Sequence, residues 1–272
     1  MANATRSSPP FEESRDYVQS LARGLSVLRT FDGDHTRLSL ADIAGRTGLS
    51  RAAARRLVLT LQHLGYVHGA GREFVLGPSV LELGFGYLDS LNLTELAQPL
   101  LEDLARKVNQ SSSMAVLDGQ SIVYVLRVPG RRVMSVTLGV GARLPAFSAS
   151  MGRVLLSGLE AEGLQAWLAQ CRPVQHTPHT VTSVQGLRRI VDEVRVQGYA
   201  YVEQELELGL CSIAVPVRNA EGRVATAINV SMPYHPEAAE QAIGHVLPQL
   251  QLTASAIESF LPVNRLPAVA AR

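Results

Sequence analysis

Apolar residues recur along the chain in three rhythms. Val18, Leu21, Leu25, Leu28 and Phe31 fall at spacings of three and four, one face of a 3.6-residue period, and predict a helix. Asp32-Gly33-Asp34 ends it. Ser39-x-x-Asp42 has the form of a capping box, so a short second helix starts there, with Ile43 and Ala44 inward and Gly45 near its end. Thr47-Gly48-Leu49 makes a tight turn, and Ser50 is a good N-cap for a third helix reaching about Leu64. On it, Ala53, Leu57, Leu61 and Leu64 form the expected inward face. Arg51, Arg55, Val58 and Gln62 share another, flanked by Arg56. Gly65-Tyr66-Val67, a turn at Ala70-Gly71 and Phe74-Val75-Leu76 predict a hairpin.

The second rhythm is apolar on more than one face. Pro78 suits a first helical turn, and Val80, Leu81, Leu83, Tyr87, Leu88 and Leu91 follow, so this helix is expected to pack on a partner. Gly84 and Gly86 allow close packing. The third rhythm is alternation, which predicts strands at Ser113–Leu117, Ile122–Val128, Met134–Val136, Ser212–Val217 and Val224–Val230. Helices are expected at 160–171, 184–197 and 235–261. The fold class is therefore α+β. The expected order is a disordered lead-in (1–16), a compact helical unit with a hairpin (17–77), a linker helix (78–93), an α/β domain (94–262) and a loose tail (263–272).

The 272 residues are 46% hydrophobic, which excludes a chain disordered throughout. Charges nearly cancel, 25 basic against 24 acidic, which argues against a chain that is basic everywhere. The local balance differs. Between Arg37 and Arg72 stand six arginines and one acid, Asp42. That is the footprint expected of a phosphate-binding surface. Two helices about a glycine turn, with arginines leading the second and a hairpin after it, form a winged helix-turn-helix. Its second helix enters the major groove. Ser50, Arg51, Ala52, Arg55 and Arg56 are the candidate DNA contacts, and Arg72 at the wing tip is placed for a phosphate or the minor groove. The plainer reading is a helical hairpin with a solvated basic face; the wing favours DNA.

Two cysteines, Cys171 and Cys211, make no disulfide framework. No apolar run is long enough to span a membrane, and the first residues lack a signal-peptide core. A cytoplasmic location is expected.

VQSLARGLSVLRTF (18–31), LSLADIAGRTGLSRAAARRLVLTLQHLGYV (38–67), FVLGPSVLELG (74–84), GARLPAFSASMGRVLLSGL (141–159) and GYAYVEQELELGLCSIAVPVRNAEGRVATAINVS (198–231) together resemble the IclR family of bacterial transcriptional regulators. SRAAARR and SMGRVLL further resemble its β-ketoadipate-pathway members, PcaR, PobR and PcaU. The resemblance implies an N-terminal winged helix, a linker helix and a GAF/PAS-like effector-binding domain around an antiparallel sheet. It implies a homodimer or dimer of dimers on double-stranded operator DNA, answering to a small aromatic acid such as protocatechuate, 4-hydroxybenzoate or β-ketoadipate. Pathway activation, with RNA polymerase as a further partner, is the expected outcome. A repressor answering to another small organic acid is the alternative.

The family's pocket-lining segments map to Arg143–Arg153, Val202–Ser212 and Asn229–Ser231. Within them Arg143, beside Leu144, can clamp a carboxylate with its planar fork. Ser148 and Ser150 can donate to a ligand oxygen, and free N–H groups where the Met151 helix starts can hold an anion. Ser212, Asn229 and Ser231 can hydrogen-bond inside an apolar cavity, and Glu203 or Glu205 can accept from a phenolic hydroxyl. Plainer roles fit as well: a surface ion pair for Arg143, helix caps for Ser148 and Ser150, and a solvated strand face for Glu203, Glu205 and Glu207. Cys211 stands among the lining candidates or as a small core residue, and departs from the arginine of the pathway-regulator pattern. A hydrolase fused to a DNA-binding domain is the remote alternative. Ser148-Ala-Ser-Met-Gly152 lacks the first glycine of a nucleophile elbow. His176-x-x-His179 lacks the glutamate and spacing of a zinc protease, and Cys171 beside it makes a weak metal set. No catalysis, cofactor or metal is expected.

Overall fold

A computed structural model describes residues 11–91, 93–130 and 138–260. The strand expected at Met134–Val136, the tail 263–272 and the first ten residues lie outside them. Within the lead-in, Phe11–Glu13 form a 3-10 turn rather than a disordered stretch, with Phe11 edge-on to Tyr17. The chain divides into two compact units between Tyr87 and Leu88.

The first unit runs α1 (Gln19–Leu28), β1 (Leu38–Ser39), α2 (Leu40–Thr47), α3 (Arg51–His63), β2 (Val67–Ala70) and β3 (Glu73–Leu76), and α4 (Ser79–Leu91) crosses the boundary. Local chemistry sets these bounds. The capping box of α2 is complete: Asp42 N–H donates to Ser39 Oγ at 3.3 Å and Ser39 N–H to Asp42 Oδ2 at 2.9 Å. The Ser39 hydroxyl, which donates to Asp42 Oδ2 at 2.7 Å, and then the Ser39 N–H hold the Asp42 carboxyl below the usual range. Gly48 ends α2 in the left-handed region (φ 68°), where a side chain would be strained. The short β1, not expected from the sequence, adds to the hairpin in the order β1-β3-β2, all antiparallel.

Two helix faces differ from expectation. On α3 the core takes Ala54, Val58 and Leu61, with Val58 fully buried, while Leu64 is exposed. Val58 therefore packs inward and does not accompany Arg51 and Arg55. Along α1 the first part of the regular apolar stripe faces out, with Val18, Leu21 and Leu25 exposed, while Leu28 packs against the core, Phe31 beyond the helix is buried in it, and Val27 is the helix residue that the core buries.

The second unit runs α5 (Leu93–Val108), β4 (Ser111–Asp118), β5 (Ser121–Val128), β6 (Arg143–Pro145), α6 (Ser150–Ser157), α7 (Ala161–Gln170), α8 (Val184–Gln197), β7 (Ala200–Glu203), β8 (Leu210–Arg218), β9 (Val224–Pro233), α9 (Ala238–Gln241), a π-helical stretch at Ala242–Val246, and α10 (Leu247–Phe260). Six antiparallel strands lie in the order β6-β5-β4-β9-β8-β7. β6 and β7 were not expected as strands. One core packs α5 and the closing helices on the sheet around Leu101, Met114, Ile228 and Leu250. The other packs α6, α7 and α8 on the opposite face around Met151, Leu155, Leu164 and Val191. Strand alternation assigns side chains to these cores. Ile228, Val230 and Met232 of β9 join the first, so Asn229 and Ser231 between them face the second. Gly152 of α6 packs so tightly on the Ala146 backbone that a Cβ there would collide with it. This fixes the start of α6 against the turn Ala146–Ser148.

Candidate DNA-binding surface and effector pocket

Ser50 caps α3, its Oγ accepting from Ala53 N–H at 3.2 Å. It thereby sets the residues that follow at the exposed leading end. Ser50, Arg51, Ala52, Arg55 and Arg56 are all exposed. Arg51 and Arg55 share a face one turn apart, while Arg56 lies on the rim of an apolar groove lined by α1 and α3. Arg72 is exposed at the wing turn, beside Gly71 (φ 69°). Arg46 pairs with Asp32. Among the described residues none of Arg51, Arg55, Arg56 and Arg72 is in an ion pair. The surface therefore carries four uncompensated guanidinium groups.

In the second unit a cavity of about 30 Å³ lies between the sheet and the start of α6, room for roughly one or two waters. Leu144, Ser148, Ser150, Met151, Glu205, Ser212, Asn229 and Ser231 line it, as anticipated. Tyr124, Val202, Gln204, Leu206 and Leu210 complete the wall. Burial pushes the Tyr124 phenol up to about 12, so this wall residue keeps its proton and can donate.

The serines do not cap α6. Its N-cap is Ala149, without a side-chain hydrogen bond. The first N–H groups of the helix thus have no side-chain acceptor, and the helix dipole makes this end partly positive. Ser212 Oγ–H donates to Ser150 Oγ at 2.9 Å, and Asn229 Nδ2 donates to Ser231 Oγ at 3.2 Å. Two wall atoms are left over. Ser148 Oγ and Asn229 Oδ1 are buried without a partner, which costs stability unless a ligand satisfies them.

Three anticipated contacts lie elsewhere. Arg143 points away from the cavity: Nη1 pairs with Asp118 Oδ2 at 2.7 Å and Nη2 donates to the Asp118 carbonyl, the surface ion pair of its plainer reading. Glu203 ends β7, exposed, and accepts from Tyr201 O–H at 3.1 Å. Cys211 alternates to the opposite face, its Sγ–H toward the Met232 carbonyl at 3.6 Å, and burial pushes its thiol up. Glu205 does reach the cavity, but its carboxylate is engaged by Arg153, whose Nη2 lies 2.7 Å from Oε1, and by Val181 N–H at 3.0 Å. It has no oxygen idle for a phenol.

Arg153 was missed. It is buried on α6, and its Nε also donates to the Phe147 carbonyl at 3.0 Å. A helix whose residues Ser150–Leu156 are all buried has no solvated side for an arginine, so Arg153 needs a buried partner, which no local pattern in the sequence reveals. The same pair secures the cavity's roof. Thr180 Oγ1 donates to the Glu205 carbonyl at 2.6 Å and Thr177 Oγ1 to the Gln204 carbonyl at 2.5 Å. Gln204 itself sits at φ 55°. His176 stacks on Phe147 at 6.0 Å instead of joining His179 in a metal site. Among the described residues no group of three His, Cys, Asp or Glu is placed to hold a metal ion.

Comparison with known proteins matches residues 20–70 to the IclR helix-turn-helix domain and residues 85–259 to the C-terminal domain of the bacterial transcriptional regulator IclR. The chain belongs to the IclR family. Like its named relatives, this IclR protein is a transcriptional regulator. It is 40% identical to the Pca regulon regulatory protein of Pseudomonas putida, over 85% of this chain and 80% of that one. It is 36% identical to the p-hydroxybenzoate hydroxylase transcriptional activator of Acinetobacter baylyi, over 91% and 93%. Its fold matches an IclR homolog from Microbacterium hydrocarbonoxydans complexed with 4-hydroxybenzoate. That match has TM-score 0.78 and 28% identity, over 90% of this chain and 99% of that one. Among the described residues of this IclR protein, no helix is long and apolar enough to cross a membrane.

The buried pair generates a stability prediction. Arg153→Met leaves Glu205 buried and unpaired and costs about 3–5 kcal/mol. The double variant Arg153→Met/Glu205→Leu recovers much of that loss. Urea denaturation of the three proteins measures both.

Proposed function

We propose that this regulator senses a small aromatic acid in the cavity beside α6 and couples its binding to operator affinity. The observation that carries the reading is the pair of buried, partnerless atoms, Ser148 Oγ and Asn229 Oδ1, in the wall of a cavity that an uncapped helix start also borders. A carboxylate at that start accepts from backbone N–H groups and from the Ser148 hydroxyl. A ring fits the apolar wall made by Met151, Leu144, Val202 and Leu210. The named relatives act in aromatic catabolism, and one structural neighbour holds 4-hydroxybenzoate, which supports the same class here.

The cavity's present size is far below the roughly 300–1,000 Å³ of small-molecule pockets. Binding therefore selects a conformation in which the roof from Leu206 to Gly209 has lifted while Glu205 stays paired with Arg153. The effector shifts the population toward it, and by linkage operator DNA and effector change each other's affinity. A second copy of the chain covers the outward apolar stripe of α1. Val18, Leu21 and Leu25 there, with Leu64 of α3, are unburied within their own unit, and the groove between these helices is largely apolar. The resulting two-fold assembly, a dimer or dimer of dimers, reads a two-fold operator. It works in the cytoplasm and activates through RNA polymerase.

Five outcomes are expected. Calorimetry with 4-hydroxybenzoate detects binding to the wild-type protein. Ser148→Ala weakens it about tenfold, one hydrogen bond to a charged group, while the melting temperature of the free protein rises, because the orphaned hydroxyl is gone. Absence of binding by a panel of aromatic acids overturns the effector class. Arg51→Ala/Arg55→Ala abolishes footprints on the operator while circular dichroism stays native; Arg143→Ala leaves effector affinity as it was. Leu21→Glu/Leu25→Glu lowers the mass measured by analytical ultracentrifugation toward that of a single chain.

A further inference from the structure

Among the described residues Glu205 is the one charged residue that lines the cavity, and the arginines on the elements beside it are matched with one exception. Arg153 is neutralised by Glu205 and Arg143 by Asp118. The unmatched cation is Arg127 on β5. It is half-buried, and among the described residues it is in no ion pair. Arg127 pairs across the strands with Ser113 of β4, which pairs with Asn229 of β9. Residues directly opposite one another project from the same face of a sheet. All three therefore face the α6 side, as Tyr124 and Ala115 do. Arg127 Nη1 donates to Ser113 Oγ at 3.3 Å, so its guanidinium reaches β4, the strand next to Asn229. Strands lie about 4.8 Å apart. The guanidinium therefore bonds to the strand next to the one that carries the orphaned Asn229 Oδ1.

We infer that Arg127 and Asn229 form the distal end of the effector site and read a hydroxyl on the ring, opposite the carboxylate held at α6. The inference rests on the pocket reading above and adds the group that selects among acids. The chemistry of the two partners is what makes it specific. Asn229 Oδ1 can only accept, and Arg127 can only donate. A phenolic hydroxyl does both, so it satisfies the two at once. A ring without an oxygen there leaves Asn229 Oδ1 unpaired. A second carboxylate takes the bond from Arg127 and presents no proton to Asn229. The site therefore favours hydroxybenzoates over benzoate and over benzene dicarboxylates.

Calorimetry of the full-length protein with 4-hydroxybenzoate, benzoate and terephthalate tests this. The wild type is expected to bind 4-hydroxybenzoate at least about tenfold more tightly than either of the others. Arg127→Met is expected to bring 4-hydroxybenzoate down to the level of benzoate while leaving benzoate unchanged. Arg127→Lys, which keeps a donor on a similar stem, retains part of the preference, and it carries the test should the methionine variant not fold. If Arg127→Met weakens both acids equally, or neither, Arg127 reads no hydroxyl. If terephthalate binds the wild type most tightly, the role given to Asn229 is wrong. If no aromatic acid binds the wild type, the pocket reading itself falls and this inference with it.

Discussion

The second unit is organised around a charge pair that has no access to water. Arg153 and Glu205 are both buried, and each alone would carry a desolvation cost of several kcal/mol. Each must therefore stay where the other is. Arg153 is fixed on α6 and also grips the turn before it through the Phe147 carbonyl. Glu205 brings the segment after β7 over the sheet, and through Val181 N–H it brings the loop before α8 with it. The cavity is the space these tethered pieces leave. Its proximal wall and its roof are held by one electrostatic requirement, beside the threonine bonds to Gln204 and Glu205.

What the sequence made legible follows the range of the interaction. Capping box, N-cap and glycine turn act within four residues, and Ser39, Gly48 and Ser50 stand where they were expected. The long alternating strands were also readable, because a half-apolar face is a local pattern. β6, with three residues, and β7, with four, are too short to show a period. The face of α3 was misread by one position. Leu57 and Val58 are adjacent and similarly apolar, and only the packing of α1 and α2 decides which goes inside.

The effector site was legible as a set of segments and not as a set of contacts. Segments with small polar residues near an apolar helix start pointed to the right region. Side-chain direction within β8 is a matter of parity, which places Ser212 in the wall and Cys211 behind it. Arg143 and Arg153 are the same residue type ten positions apart. Nothing local distinguishes the one that meets Asp118 at the surface from the one that meets Glu205, 52 positions away. Long-range electrostatic pairing is the information a single sequence hides best.

β9 supplies the floor of the cavity on one side and the ceiling of the helical core on the other. Its Asn229 and Ser231 alternate with Ile228, Val230 and Met232. A shift of one residue would exchange these faces, setting amide and hydroxyl groups in the apolar core and large aliphatic groups in the cavity. The strand is in this sense a fixed ruler, graduated by its own alternation. Room for a guest has to come from what lies above it. A change of chemical taste has to come one graduation at a time, by replacing single polar side chains while the backbone beneath them stays in register.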